Sequence, residues 1–206
     1  MIVRAVLFDI GNVLIEWQPE RFFDRVIGVD RRVAFFAAVP ILEMNDRVDA
    51  GVNFQDAVAG VIVAHPNWAD ELAMWRDRWI EMASPTIDHS VRLLRALRRA
   101  GHPVFALSNF GNETFQIAQR IYPFLDEFDR RFISAELGMS KPDAAIYQWV
   151  EAECAMPQNT LLFTDDRPEN IAAARERGWQ THLFDGPDGW AARLVREGLL
   201  TLEAAQ

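Results

Sequence analysis

The chain has 206 residues, half of them hydrophobic and a quarter charged, with one cysteine and a formal charge of −9. That composition builds a sizeable core and excludes collagen-like, disordered and disulfide-stapled classes, and one domain carrying an insertion is the economical reading of the length. The acidic balance argues against non-specific nucleic-acid or anionic-membrane binding, both of which need a dense positive field, so an anionic ligand here needs a local cation.

In chain order, an apolar run over residues 3–8 stops at Asp9 and reads as a buried strand. It is too short for a secretory signal with its flanks, and no stretch reaches bilayer length, so a cytoplasmic protein without membrane partners is expected. Residues 15–85 have a different texture: no clear buried-strand run, several helical patterns, and four of the seven tryptophans. They read as a helical insertion. Within it Trp68, Leu72, Trp75 and Trp79 recur at helical spacing on one face, the insertion's own core rather than a substrate stack. Trp17, at the junction, either walls a site or seals an interface.

Beyond the insertion, residues 87–100 place Val91, Leu94 and Leu97 on one helix face and end at Gly101. A strand over 103–107 stops at Ser108, and a helix over 144–152 precedes Cys154, a small buried side chain. A strand over 161–163 precedes Thr164-Asp165-Asp166, and a helix opening at Pro168-Glu169 closes at Gly178. A last strand spans 181–184. Continuous apolar strands separated by helices predict an α/β fold, a doubly wound, Rossmann-like parallel sheet. The expected core is residues 1–14 and 86–206, with a helical cap over 15–85.

In such sheets ligands bind beyond the carboxyl ends of the strands. The residues there are Asp9 with Gly11 and Asn12, Ser108 with Asn109, and Asp165 with Asp166, while Lys141 precedes Pro142 in a loop. Converging carboxylates repel one another unless a cation sits among them, and an oxygen-only set without Cys or His points to Mg²⁺ rather than zinc. Lys141 and Ser108 could then hold a phosphate while one carboxylate attacks. His65, His89, His102 and His182 have no spaced partners and read as packed or surface residues. The phosphate loop, dinucleotide fingerprint and serine-esterase elbow are missing from the sequence.

Phe8-Asp9-Ile10-Gly11-Asn12-Val13-Leu14, Leu107-Ser108-Asn109, Ser140-Lys141-Pro142-Asp143 and Phe163-Thr164-Asp165-Asp166-Arg167-Pro168-Glu169-Asn170 resemble, in order, the four motifs of the haloacid dehalogenase superfamily. The insertion resembles the cap of its small-metabolite phosphatases, with Arg47, Asp49, Gly51 and Phe54 in a recurring cap stretch, and the first motif resembles that of bacterial sugar 1-phosphate phosphatases. The resemblance implies a Mg²⁺-dependent phosphatase of small phosphorylated metabolites, a monomer or homodimer. Asp9 would be nucleophile and metal ligand, Gly11 a carbonyl ligand, and Asp166 and Asp165 further ligands. Ser108, Asn109 and Lys141 would bind phosphate, with Asn12 in support and Asn170 orienting Asp166 or a bound water. Trp17, Asn45, Arg47 and Trp68 are the candidates for reading the substrate. A 2-haloacid dehalogenase using Asp9 and a non-catalytic binder are the alternatives. Many of these phosphatases carry a second aspartate where this chain has Gly11, so Glu16, Asp46, Asp49 or a metal-bound water must move the proton, or the leaving groups must be good ones.

Overall fold

Side-chain alternation along the first strand decides which groups lie on which side of the molecule. The computed structural model describes residues 2–206. Strand β1 (Ala5–Phe8) is buried throughout and sends Ala5 and Leu7 into one hydrophobic cluster and Val6 and Phe8 into another. A strand with two buried faces needs helices on both, and each fully buried Leu or Phe contributes roughly 1.5–3 kcal/mol. Beside β1 run β4 (Val104–Ser108) and β6 (Leu161–Asp165), with β5 (Arg130–Ile133) and β7 (Gln180–Leu183) outside them, all parallel in the order β5-β4-β1-β6-β7.

One face is covered by α7 (Asp88–Arg99), α8 (Asn112–Ile121) and α12 (Pro187–Arg196), where Trp190 meets Phe8 edge-on at 5.5 Å. On the other face α10 (Ala144–Cys154) and α11 (Pro168–Glu176) pack Ile146, Tyr147, Val150, Ile171 and Ala174 against Leu7 and Phe163. A short helix, α9 (Ser134–Leu137), follows β5. The expected doubly wound α/β sheet is what forms.

Two differences are instructive. Strand β5 is absent from the sequence reading because Arg130-Arg131-Phe132-Ile133 has exposed arginines in its first half; at the sheet edge such charge guards an unpaired strand rather than arguing against one. The insertion leaves through β2 (Ile15–Trp17) and returns through β3 (Ala83–Thr86), an antiparallel pair that brings exit and entry side by side.

Between these strands lie α1 (Pro19–Ile27), α2 (Val29–Ala38), α3 (Ile41–Asp49), α4 (Phe54–Ala64), α5 (Ala69–Asp77) and α6 (Trp79–Met82). The expected tryptophan helix is broken: a turn of 3-10 helix at Pro66–Trp68 precedes α5, and Arg78, at φ −118 and ψ 21, interrupts the chain before α6. Leu72 and Trp75 do form the insertion's core, with Phe23 stacked on Trp75 at 6.0 Å. Trp68 is half-buried beneath the Arg31 guanidinium, while the break turns Trp79 towards Trp17 and Phe110. No helix among the described residues is long and apolar enough to cross a membrane.

Candidate active site

Register places the polar strand ends together. Phe8 lies opposite Ala106 on β4 and Thr164 on β6, so Asp9, Ser108 and Asp165 emerge within one residue of the same level, at the edge where the strand order switches direction. Asp165 is wholly buried, and beside it Asp9 and Ser108 line a cavity of about 350 Å³. Its sheet side carries Asp9, Gly11, Asn12, Ser108, Asn109, Lys141, Asp166 and Asn170; the insertion contributes Trp17, Leu42, Asn45, Asp46, Asp49 and Trp79.

Asp9 is held by one oxygen. Its Oδ1 accepts from the Ile10 amide at 2.7 Å and the Ser108 hydroxyl at 2.7 Å, and lies 2.9 Å from Lys141 Nζ. Its Oδ2 takes no hydrogen bond among the described residues, and is free to act. Burial pushes the Asp9 carboxyl up, Lys141 pulls it down and Asp165 pushes it up again, leaving it at about 7. The Lys141 side chain is 1% exposed and its ammonium also lies 2.6 Å from Asp165 Oδ2. Burial alone would favour the neutral amine; Asp9 and Asp165 more than offset it, so Lys141 stays charged.

Two amides do positioning work. Asn109 accepts from the Lys141 amide at 2.8 Å and donates to its carbonyl at 2.9 Å, a two-point clamp on the residue that carries the cation. Asn109 also lines the cavity, and this clamp uses only one of its two Nδ2 hydrogens. Asn12, at φ +54 in the left-handed region that asparagine tolerates, donates to Asp166 Oδ2 at 3.0 Å and accepts from the Trp17 amide at 2.9 Å. It ties a candidate metal ligand to the first residues of the insertion.

The adjacent acids differ. Asp165 is wholly buried, and its oxygens accept from the Arg167 amide, from Lys141 and from Asn170 Nδ2 at 2.6–3.0 Å. Asp166 is half-buried; burial raises its carboxyl, Asn12 lowers it and Asp165 raises it, with a net upward shift. Asn170 donates to both oxygens of Asp165 rather than to Asp166, one of the two partners the resemblance implied, and its Oδ1 is buried with no partner among the described residues.

One oxygen from each of Asp9, Asp165 and Asp166 lies within 4.8 Å of the others. A dense, oxygen-only donor set of this kind fits a hard divalent cation. Trp17 lines the cavity and packs on Trp79 at 5.5 Å within the insertion. Arg47 is exposed and does not line the cavity, and neither does Trp68. Helix α3 lines the cavity with positions 42, 45, 46 and 49 instead. These positions lie beside the buried apolar stripe of Ile41, Met44 and Val48, whose helical spacing is the signal from which the sequence could have oriented α3. Phe110 and Trp79 carried no such signal.

A family model described as haloacid dehalogenase-like hydrolase matches residues 3–178. The chain belongs to this family. The chain is 34% identical over 186 residues to a sesquiterpene phosphatase (astK) of Aspergillus oryzae, covering 88% of this chain and 90% of that protein. It is 23% identical over 212 residues to a D-ribitol-5-phosphate phosphatase of Bacteroides thetaiotaomicron, covering 94% and 97%. Drimenol cyclase drtB of Aspergillus calidoustus matches over 85 residues at 31% identity, 41% of this chain and 16% of that much longer protein. Among solved structures, a Bacteroides thetaiotaomicron enzyme of the family, bt-2542, in complex with magnesium and inorganic phosphate superposes with a TM-score of 0.69 at 21% identity, covering 89% of this chain and 95% of that one. The expectation of an enzyme, a hydrolase of the phosphatase kind, is borne out.

Proposed function

We propose that the chain is a Mg²⁺-dependent phosphatase of small monophosphate esters that works through a covalent intermediate on Asp9. The observation that carries this reading is the asymmetric hold on Asp9: three donors on Oδ1 and none on Oδ2 aim one carboxylate oxygen into a cavity that also holds a buried ammonium. Asp9 Oδ2 attacks phosphorus, the ester bond breaks and the alcohol leaves; water then cleaves the aspartyl-phosphate and restores Asp9. Ser108 and Lys141, both within 2.9 Å of Asp9 Oδ1, flank the phosphoryl oxygens and offset their charge.

Asp9, Asp166 and the carbonyl of Gly11 would hold Mg²⁺, with Asp165 committed to fixing Lys141. The metal supplies positive charge among carboxylates that otherwise disfavour ionisation, so its removal leaves Asp9, at about 7, partly protonated near neutral pH and a weaker nucleophile. An ordered acid cluster of this kind is surplus to a metal-free dehalogenase.

The leaving-group end of the cavity narrows the substrate class. Trp17, Trp79 and Phe110 offer apolar faces, and Glu16 and Asp46 offer negative charge, which disfavours a second anionic group on the substrate. An uncharged alcohol with an apolar face fits, either a sugar 1-phosphate, whose ring can stack on tryptophan, or an isoprenoid alcohol phosphate of the kind the astK name indicates. The test is release of inorganic phosphate from sugar, isoprenoid, acyl and aryl phosphates, with and without Mg²⁺, in the wild type and Asp9→Asn. Mg²⁺-dependent release that vanishes in the variant is expected, with a hexose 1-phosphate turned over faster than its 6-phosphate. Release that survives Asp9→Asn, or halide release from 2-haloacids in its place, overturns the reading.

A further inference from the structure

Attack by Asp9 from the sheet side drives the departing oxygen towards the insertion, and an alkoxide leaving there needs a proton. The sheet side has none to spare: Ser108 donates to Asp9, Lys141 is bound between Asp9 and Asp165, and Asn12 is tied to Asp166 and Trp17. Across the cavity three acids face the leaving group: Glu16, Asp46 and Asp49. Glu16 is engaged with Arg21 at 2.7 Å, and Asp46 is exposed to solvent.

We propose that Asp49 is the catalytic acid and base of this reaction, protonating the leaving alcohol and then deprotonating the attacking water. The assignment rests on the phosphatase reading above. In the first half-reaction the Asp9 Oδ2–phosphorus bond forms, the phosphorus–ester oxygen bond breaks, and the Asp49 carboxyl proton passes to that oxygen. In the second, Asp49 carboxylate takes a proton from water as the water oxygen bonds to phosphorus and the Asp9–phosphorus bond breaks, releasing inorganic phosphate and restoring both side chains.

The position is built rather than incidental. Asp49 ends α3 where the insertion meets the sheet domain: its carbonyl accepts from Ser134 Oγ at 2.5 Å. A Cβ on Gly111 would lie 2.4 Å from Val48 Cγ1, so the segment after β4 and the last turn of α3 approach as only glycine allows. At Gly51, with φ +105, a Cβ would come within 3.2 Å of the Ala135 carbonyl, a second close approach. Asp49 Oδ2 accepts from Asn45 at 3.0 Å, which orients the carboxyl. The acid is thus indexed to the Ser108–Gly111 segment that flanks Asp9. Burial lifts the carboxyl, Asp46 adds to the rise, the Gly111 amide opposes it, Asp9 raises and Lys141 lowers it, and the balance is about 7. A group so poised can both give and take a proton at neutral pH.

The test compares an alkyl phosphate with an activated aryl phosphate in the wild type, Asp49→Asn and Asp9→Asn, with circular dichroism to establish folding. In the pre-steady-state release of the alcohol, which precedes the water step common to both esters, Asp49→Asn should lose about 10²–10⁴-fold on the alkyl ester and less than about tenfold on the aryl ester, whose leaving group needs little protonation, while steady-state turnover of both falls. Independently of any variant's folding, wild-type kcat on the alkyl ester should fall above pH 7 while the aryl rate does not. In the metal-free chain, carboxyl-carbon NMR should show the Asp49 resonance titrating near 7. Equal losses on both esters in that first release, no loss, parallel pH profiles or a titration below pH 5 overturn the assignment. Release that survives Asp9→Asn instead overturns the phosphatase reading beneath it.

Discussion

Replacing Lys141 with methionine keeps a comparable side-chain volume and removes the charge that lies 2.9 Å from Asp9 and 2.6 Å from Asp165 in a pocket where the lysine is 1% exposed. Breaking a buried ion pair on one side costs about 3–5 kcal/mol, because the surviving charge keeps its desolvation penalty without its partner. For a chain of this size each kcal/mol moves Tm by roughly 2–4 °C, so a fall of roughly 6–20 °C is expected. The pH dependence has a definite sign. Lys141 pulls the Asp9 carboxyl down, so without it the folded-state value rises beyond about 7, further above that of the unfolded chain. The native state then binds more protons than the unfolded one between acid and neutral pH, and stability is lost as pH rises through that range. Urea denaturation should therefore show a small deficit at pH 5 and the full deficit at pH 8, and Mg²⁺ at pH 8 should recover part of it. A deficit below about 1 kcal/mol at pH 8, or one equal at both pH values, would refute the claim that Lys141 offsets buried carboxylate charge.

Asp49→Asn should stabilise the metal-free chain at pH 8 and not at pH 5. The carboxyl is raised from 3.8 to about 7, so its charged form is penalised in the fold, and the gain after solvent screening is about 1–2 kcal/mol by chemical denaturation. Gly111→Ala forces a methyl to 2.4 Å from Val48 and 2.9 Å from Thr114 Oγ1. It should cost about 1–3 kcal/mol in urea melts and slow alkyl-ester turnover by displacing α3; unchanged stability would mean that this junction has room. Asn12→Gly keeps the backbone at φ +54 free of strain but unties Asp166. Calorimetric Mg²⁺ titration should show about 10–100-fold weaker binding, and undiminished affinity would remove Asp166 from the ligand set.

The sheet-side half of the site was legible because a parallel sheet converts chain direction into position. Every apolar run that stops at a polar residue delivers that residue to the same edge, so Asp9, Ser108 and Asp165 could be placed together from local pattern alone. Local pattern could not reveal β5, whose arginines match a surface loop until the neighbouring strand supplies its hydrogen-bond partners. Nor could it separate two neighbouring carboxylates by task. Asp165 and Asp166 are adjacent in sequence and opposite in environment, one filled by Lys141, Asn170 and the Arg167 amide, the other half-open to the cavity.

The insertion's half was decided by packing. Whether α3 presents Arg47 or Asp49 depends on a rotation about its axis, and that rotation is set where Gly111, Gly51 and Ser134 let the helix close on the sheet domain. Trp79 reaches the cavity because the helix breaks at Arg78, a backbone event outside the apolar spacing. Residue order was therefore enough for the identity of the strand-end chemistry, since strand polarity is written along the chain. The shape of the cavity's insertion side and the raised carboxyl of Asp49 arise from groups distant in sequence, Asp9, Gly111 and Lys141 among them, whose fields and contacts exist only once the chain has folded.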